Sequence, residues 1–238
     1  MSEIREDLLA VLAAPTARDK QKRIGPSALG DRCDRCLLKA LRGESDPLPA
    51  GFLATWIGTA VHSYVADLFT APYADDRWIV ETKVTVGERP HLGVVKGTAD
   101  LFDTETGTLI DWKVMTHKGA NRLAKGMIPF GQRVVFTADY AGSTAAKYVT
   151  QLSLYVVGLR ERGLDVRSAA LAVIPKDKSG ATLAEDMNLL EIPIMPDLAE
   201  AALDRAENLL ETYGSEGDLP DPGAFCYNCN PPNRRSTK

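Results

Sequence analysis

A central sheet with helices on its flanks, in the α/β or α+β class, is the architecture that this 238-residue chain argues for. Two patterns carry the argument. Three β-rich runs follow one another between residues 78 and 115, and helical periodicity stands on both sides of them. Residues 3–13 read as a short amphipathic helix ended by Pro15. Ser27 caps a helix through about Leu41, stopped by Gly43 and the Pro47/Pro49 pair. Residues 51–70, with Phe52, Trp56, Val61, Val65 and Leu68, read as a mostly buried helix ending before Pro72. The β-rich runs are 78–86, 94–103 and 108–115. Residues 116–143 mix small and basic residues without a clear period and read as a mobile loop. A helix over 144–162, strands over 168–175 and 188–194, and a helix over 197–213 stopped by Gly214 complete the series. From Gly217 the Pro/Gly/Asn-rich tail is irregular.

Composition narrows the functional classes. At 45% hydrophobic and 25% charged, the chain reads as a soluble globular protein, not a disordered one, and not as a secreted disulfide scaffold. No apolar run approaches the roughly 20 residues that cross a bilayer, and the first residues lack the pattern of a signal peptide, which places the protein in the cytoplasm with no membrane partner. The formal charge is −4, but it is unevenly spread. Residues 16–42 hold eight cations against three acids, and residues 113–133 hold five cations and no acid. Either segment can guide a phosphate backbone, so Arg32, Arg35, Lys118, Arg122 and Lys125 are candidate DNA-binding residues.

The chemistry concentrates in one hairpin. Thr104-Glu-Thr-Gly107 reads as a four-residue loop, so Asp103 faces Thr108 and Asp100 stands opposite Asp111. Lys113 projects from the same face, and Ala99, Leu101, Ile110, Trp112 and Val114 make up the core-facing side. Two opposed carboxylates repel. A divalent cation between them, Mg²⁺ or Mn²⁺ for hard oxygen ligands, turns that repulsion into a binding site. A lysine beside it can stabilise charge developing on a phosphate. Gly58 and His62 lie four apart on the preceding helix, the glycine permitting close approach and the imidazole in reach of the carboxylates. Gln151 and Tyr155 repeat that spacing on the later helix. The four cysteines form two pairs, Cys33-Asp-Arg-Cys36 and Cys226-Tyr-Asn-Cys229. In a cytosolic protein such pairs suit a metal, and tetrahedral zinc is what the spacing alone suggests.

The ordered set Gly58-x-x-x-His62, Asp100, Asp111-Trp-Lys113 and Gln151-x-x-x-Tyr155 resembles the RecB-like branch of the PD-(D/E)XK nucleases, which includes CRISPR-associated and phage-encoded exonucleases. The resemblance runs over about residues 27–230. It implies a mixed sheet flanked by helices, a restriction-endonuclease-like core. It further implies metal ligation by His62, Asp100, Asp111 and the backbone carbonyl of Trp112, a catalytic Lys113, and assistance from Gln151 and Tyr155. Several such nucleases hold a [4Fe-4S] cluster, which the resemblance favours over zinc at Cys33, Cys36, Cys226 and Cys229, although two cysteines at each end depart from the usual one-and-three division.

The expected protein is therefore a single nuclease domain whose N-terminal helical part (1–50) and tail (217–238) are joined by the cysteine site. Its expected activity is metal-dependent DNA exonuclease cleavage of single strands or duplex ends, with a helicase, recombination or CRISPR-type partner implied by the resemblance. An endonuclease or DNA-processing subunit, a non-catalytic zinc-stabilised DNA-binding or scaffold module, and a thiol redox protein are the alternatives.

Overall fold

The three β-rich runs open a mixed sheet whose later strands return after a long crossover. In the computed structural model, residues 24–44, 53–70, 76–131, 133–177, 187–226 and 228–229 are described. The expected helix over 3–13 and the cations Arg18 to Arg23 lie outside them, as does Phe52. The chain begins with α1 (Pro26–Leu29), α2 (Asp34–Leu41) and α3 (Leu53–Thr70). Then come β1 (Trp78–Arg89), β2 (Gly93–Asp103) and β3 (Thr108–Met115). The crossover holds α4 (His117–Lys125), β4 (Met127–Phe130), β5 (Arg133–Phe136) and α5 (Tyr140–Glu161). β6 (Ser168–Pro175), β7 (Asn188–Ile192) and α6 (Pro196–Tyr213) follow.

Among the described residues the main sheet runs β1-β2-β3-β6-β7. β3 and β6 are parallel and the other neighbours antiparallel, so the sheet is mixed, as expected. The hairpin register is also as expected, with Asp103 opposite Thr108 and Leu101 opposite Ile110. Gly107 closes the loop at φ 66, a conformation that disfavours a Cβ. α5 lies over one face of the sheet, where Val149, Leu152, Val156 and Leu159 share a core with Phe102, Leu109, Leu171 and Val173. Each fully buried leucine there contributes roughly 1.5–3 kcal/mol.

Six local expectations fail for physical reasons. The helix over 27–41 is two helices, because a Cβ at Gly30 would lie 2.4 Å from the Lys147 carbonyl oxygen; the chain turns where it meets α5. Gly25, not Ser27, precedes α1 as its cap, and Cys33 caps α2. α3 is not mostly buried: Val65 is its buried residue among those described, while Leu53, Trp56, Tyr64 and Leu68 are exposed. Gly58 permits no close approach, since a Cβ there would meet open space. The expected loop over 116–143 is ordered into α4 and a β4–β5 ribbon, with Thr116 capping α4 through the Gly119 N–H. Finally, Ile110, Trp112 and Val114 are only half-buried, since α3 covers that face partly, through Phe69 against Trp78 and Trp112.

Candidate functional site

The expected pairing of Asp100 with Asp111 is replaced by a different arrangement. The β2–β3 ladder stops at Leu101 and Ile110, one step short of the two acids. Asp100 Oδ2 instead accepts the Trp112 backbone N–H at 2.9 Å, and Trp112 enters the site through this group. On the other side of β2, Val80 pairs with Leu101 and Thr82 with Ala99, so Glu81 stands opposite Asp100. The facing carboxylates are therefore Glu81 and Asp100. Three acids, Glu81, Asp100 and Asp111, lie across three adjacent strands.

Glu81 has φ 46, a left-handed conformation that a non-glycine residue adopts at a cost of about 1–3 kcal/mol. His62 Nδ1 of α3 lies 3.3 Å from Asp100 Oδ2. Ligand atoms of His62, Glu81 and Asp100 all fall within 4.8 Å of one another. Sequence reading missed Glu81. The signal was present, since a register counted back from a β1–β2 hairpin would have placed a strand glutamate beside Asp100.

Asp111 is held separately. It is 2% exposed; Gln151 Nε2 donates to its Oδ1 at 3.0 Å, and the Lys113 ammonium pairs with its Oδ2. Burial pushes the Asp111 carboxyl up to about 6, opposed by Lys113 and reinforced by Asp100. Burial would lower the Lys113 ammonium, but the Asp111 charge outweighs it and holds it above the ordinary lysine value. His62 follows the same logic: burial lowers it, and Asp100 more than restores it. The Tyr148 ring centroid lies 5.5 Å from Lys113 Nζ, a cation–π contact, and burial raises its phenol. Tyr148 was also missed, although it precedes Gln151 by one helical turn.

A cleft of about 840 Å³ opens over these groups, with α3 on one wall and α5 on the other. Tyr155 lines it against Gly97, where a Cβ would lie 2.7 Å from the ring. Lys96 and Lys147, outside both basic segments, line it as well, and Lys147 Nζ lies 3.7 Å from Asp31. Lys118, Arg122 and Lys125 are exposed along α4, away from the cleft lining, and Arg32 is exposed before α2. Arg35 is half-buried and donates from Nε to the Pro220 carbonyl at 2.8 Å, which ties the tail to α2.

The second group of candidates also comes together. Cys33 and Cys36 meet Cys226 and Cys229, with sulfur separations of 3.4 Å (Cys36 to Cys226 and to Cys229) and 3.8 Å (Cys33 to Cys229). All four sulfurs lie within 4.8 Å of one another, and Cys33 and Cys226 are buried. Burial and then the neighbouring sulfurs push the Cys36 thiol far up, and burial, opposed by the hydrogen bond with Cys36, raises the Cys229 thiol to about 11. Burial also acts to raise Cys33, but N–H donors, Gly223 first, hold it below its ordinary value. Such a donor set fits a thiophilic metal. A tetrahedral ion with Zn–S near 2.3 Å separates its sulfurs by about 3.8 Å, whereas a cubane, with one iron inside each thiolate, spreads them further.

No described helix is long and apolar enough to cross a membrane. No family model matches this chain, and no curated protein matches it. Among solved structures, the chain is similar to SSO0001, at 15% identity and TM-score 0.51, over 88% of this chain and 86% of that one. It is also similar to a protein of Eubacterium rectale named "Putative exonuclease", at 14% identity and TM-score 0.49, over 91% of this chain and 92% of that one. The likeness to SSO0001 is one of fold.

Proposed function

We propose that this chain is a divalent-metal-dependent nuclease that hydrolyses DNA phosphodiester bonds, acting as an exonuclease on single strands or duplex ends. The observation that carries the reading is the row of Glu81, Asp100 and Asp111 across three strands, with His62 on one side and Lys113 on the other, at the floor of a single cleft. Like charges at such spacing are costly without a cation.

His62, Glu81, Asp100, Asp111 and the Trp112 carbonyl would hold Mg²⁺ or Mn²⁺. The ion supplies Lewis-acid polarisation of a phosphoryl oxygen and activation of water for attack. The chain's own groups do the rest. Asp111 fixes the Lys113 ammonium in the cleft, where it can donate to a phosphate oxygen as charge grows there. Gln151 locks Asp111 from α5, and the Tyr148 ring keeps the ammonium charged without adding a competing anion. Lys96 and Lys147 attract the flanking backbone.

The four cysteines would hold a structural metal that joins α2 to the tail. Their sulfur spacing supports a single tetrahedral zinc, and the sequence resemblance supports [4Fe-4S]. Stoichiometric zinc in a colourless protein selects the first; a brown protein absorbing broadly near 400 nm selects the second.

The test is an assay on end-labelled single and double strands with Mn²⁺, read for product size. Mononucleotides or short products from one end are expected. Internal cuts on circular DNA would make the enzyme an endonuclease, and no cleavage by a folded, metal-loaded protein would defeat the proposal.

A further inference from the structure

The β4–β5 ribbon projects apolar groups that no step at the carboxylate row uses. Its register pairs Ile128 with Val135, Pro129 with Val134 and Phe130 with Arg133. Side chains alternate across a strand, so Ile128, Phe130, Val135 and Arg133 share one face. The three apolar members are 51%, 72% and 51% exposed, while Met127 and Phe136 turn inward against the core. The preceding helix, α4, carries Lys118, Arg122 and Lys125 at spacings of four and three, on one stripe. All three are exposed, and none is closed off by an ion pair among the described residues. Arg133 Nη2 lies 2.6 Å from Asp197 Oδ2. Both are solvent-exposed, so this pair is weak enough to exchange for a phosphate.

The ribbon stands near the cleft. Its root, Gly126, packs on the backbone of Ala141 and Gly142, and Tyr148, which touches Lys113, lies about 10 Å further along α5. Four extended residues add about 13 Å to the tip. These steps put Phe130 within about 30 Å of Lys113, a span of roughly nine stacked nucleotides.

We propose that the ribbon is a stacking platform for unpaired DNA bases, with the α4 stripe holding the phosphates of the same strand. The proposal rests on the nuclease reading and adds to it the form of substrate that the enzyme grips. Unpaired bases expose the π-faces that a duplex hides, and an aromatic beside an arginine is a surface on which any base can stack. Three apolar side chains among cations are too small a patch for a stable protein interface, which needs about 800 Å² per partner.

The experiment compares the full-length protein with Phe130→Ala, Phe130→Trp and an Ile128→Ser/Val135→Ser double variant. Binding is measured in Ca²⁺ to a 20-nucleotide single strand carrying 2-aminopurine and to a blunt duplex. Phe130→Ala is expected to weaken single-strand binding about 5- to 20-fold and to abolish the 2-aminopurine quenching, with duplex binding changed less than twofold. Phe130→Trp should restore both. Replacing Lys118, Arg122 and Lys125 by Gln should flatten the salt dependence of single-strand binding by about two in log–log slope. Unchanged single-strand affinity in Phe130→Ala, an equal loss on duplex, or a change in self-association alone by sedimentation would overturn the platform. A protein that cleaves DNA but ignores Phe130 refutes the platform and leaves the nuclease reading standing. One that binds single strands through Phe130 but cleaves none refutes the nuclease reading alone.

Discussion

Two regions of this molecule crowd groups that repel when charged, and they handle the conflict differently. At the carboxylate row the protein carries its own counter-charges: Lys113 sits on Asp111, His62 on Asp100, and the Trp112 N–H shares Asp100. At the cysteine site four sulfurs face one another with backbone N–H groups from Gly223 and Cys229 as local relief, and the Cys36 and Cys229 thiols are held protonated. The first site offsets part of that repulsion with its own donors, and on the nuclease reading a divalent ion offsets the rest. The second brings four sulfur donors together in a set that fits a thiophilic metal.

This contrast breaks most sharply at Lys113. Lys113→Ala and Asp111→Ala should each lower Mn²⁺-dependent DNA hydrolysis at least about 100-fold while near-native circular dichroism and melting behaviour persist. If either variant unfolds instead, the carboxylate row is structural and the contrast disappears.

The cysteine site should respond the opposite way. Cys36→Ala should cost upwards of about 4 kcal/mol, read as a melting temperature lowered by roughly 10 °C, with activity per folded molecule preserved. A stable Cys36→Ala protein with lost activity would reverse the assignment of roles.

A smaller effect sharpens the staple. Arg42 donates to the carbonyls of Tyr213, Gly214, Glu216, Gly217 and Asp218, and Arg205 donates to those of Leu29 and Asp31. The Arg42 bonds dock the start of the tail without a metal, and the Arg205 bonds tie α6 to the turn between α1 and α2. Arg42→Ala should cost about 2–3 kcal/mol in denaturant unfolding and make the tail the first site of proteolytic cutting.

The hairpin that presents Asp100 and Asp111 has its own support. Arg77 binds Asp103 through two bonds, Nε to Oδ1 at 2.7 Å and Nη2 to Oδ2 at 2.6 Å, and Thr106 adds a third donor. Together they hold the Asp103 carboxyl well below the usual carboxylate range, Arg77 being the main cause. A depressed carboxyl stabilises the fold above the ordinary aspartate pKa of about 3.9 and loses that contribution as pH falls toward its folded value. Asp103→Asn should therefore cost about 2 kcal/mol at pH 7, a gap that closes below about pH 4 in urea titrations. The least effect concerns Gly58, where a side chain would meet open space: Gly58→Ala should raise stability by roughly 0.5–1 kcal/mol.

Legibility followed the range of the interaction. The hairpin register was readable because a four-residue loop ending in Gly107 determines every pair above it. The spacing of Gln151 and Tyr155 was readable because a helix repeats. The break at Gly30 was not, since its cause is a carbonyl on α5, over a hundred residues away. The two basic segments show the same limit. They look alike in composition, yet Arg35 and Arg42 turn inward to cap carbonyls of the tail, while Lys118, Arg122 and Lys125 stay in solvent. Glu81 escaped notice because its importance lies in what stands across from it on β2.

The order and kind of the elements, the hairpin, the pairing of cysteines and the residues able to do phosphate chemistry are written in local patterns of charge, periodicity and turn residues. Local patterns suffice for these because each is decided by neighbours a few positions away. Which carboxylates face one another, which cations are free for a substrate, and how closely four sulfurs approach were decided by packing between distant segments. Those distances depend on backbone contacts that leave no trace in the side chains nearby.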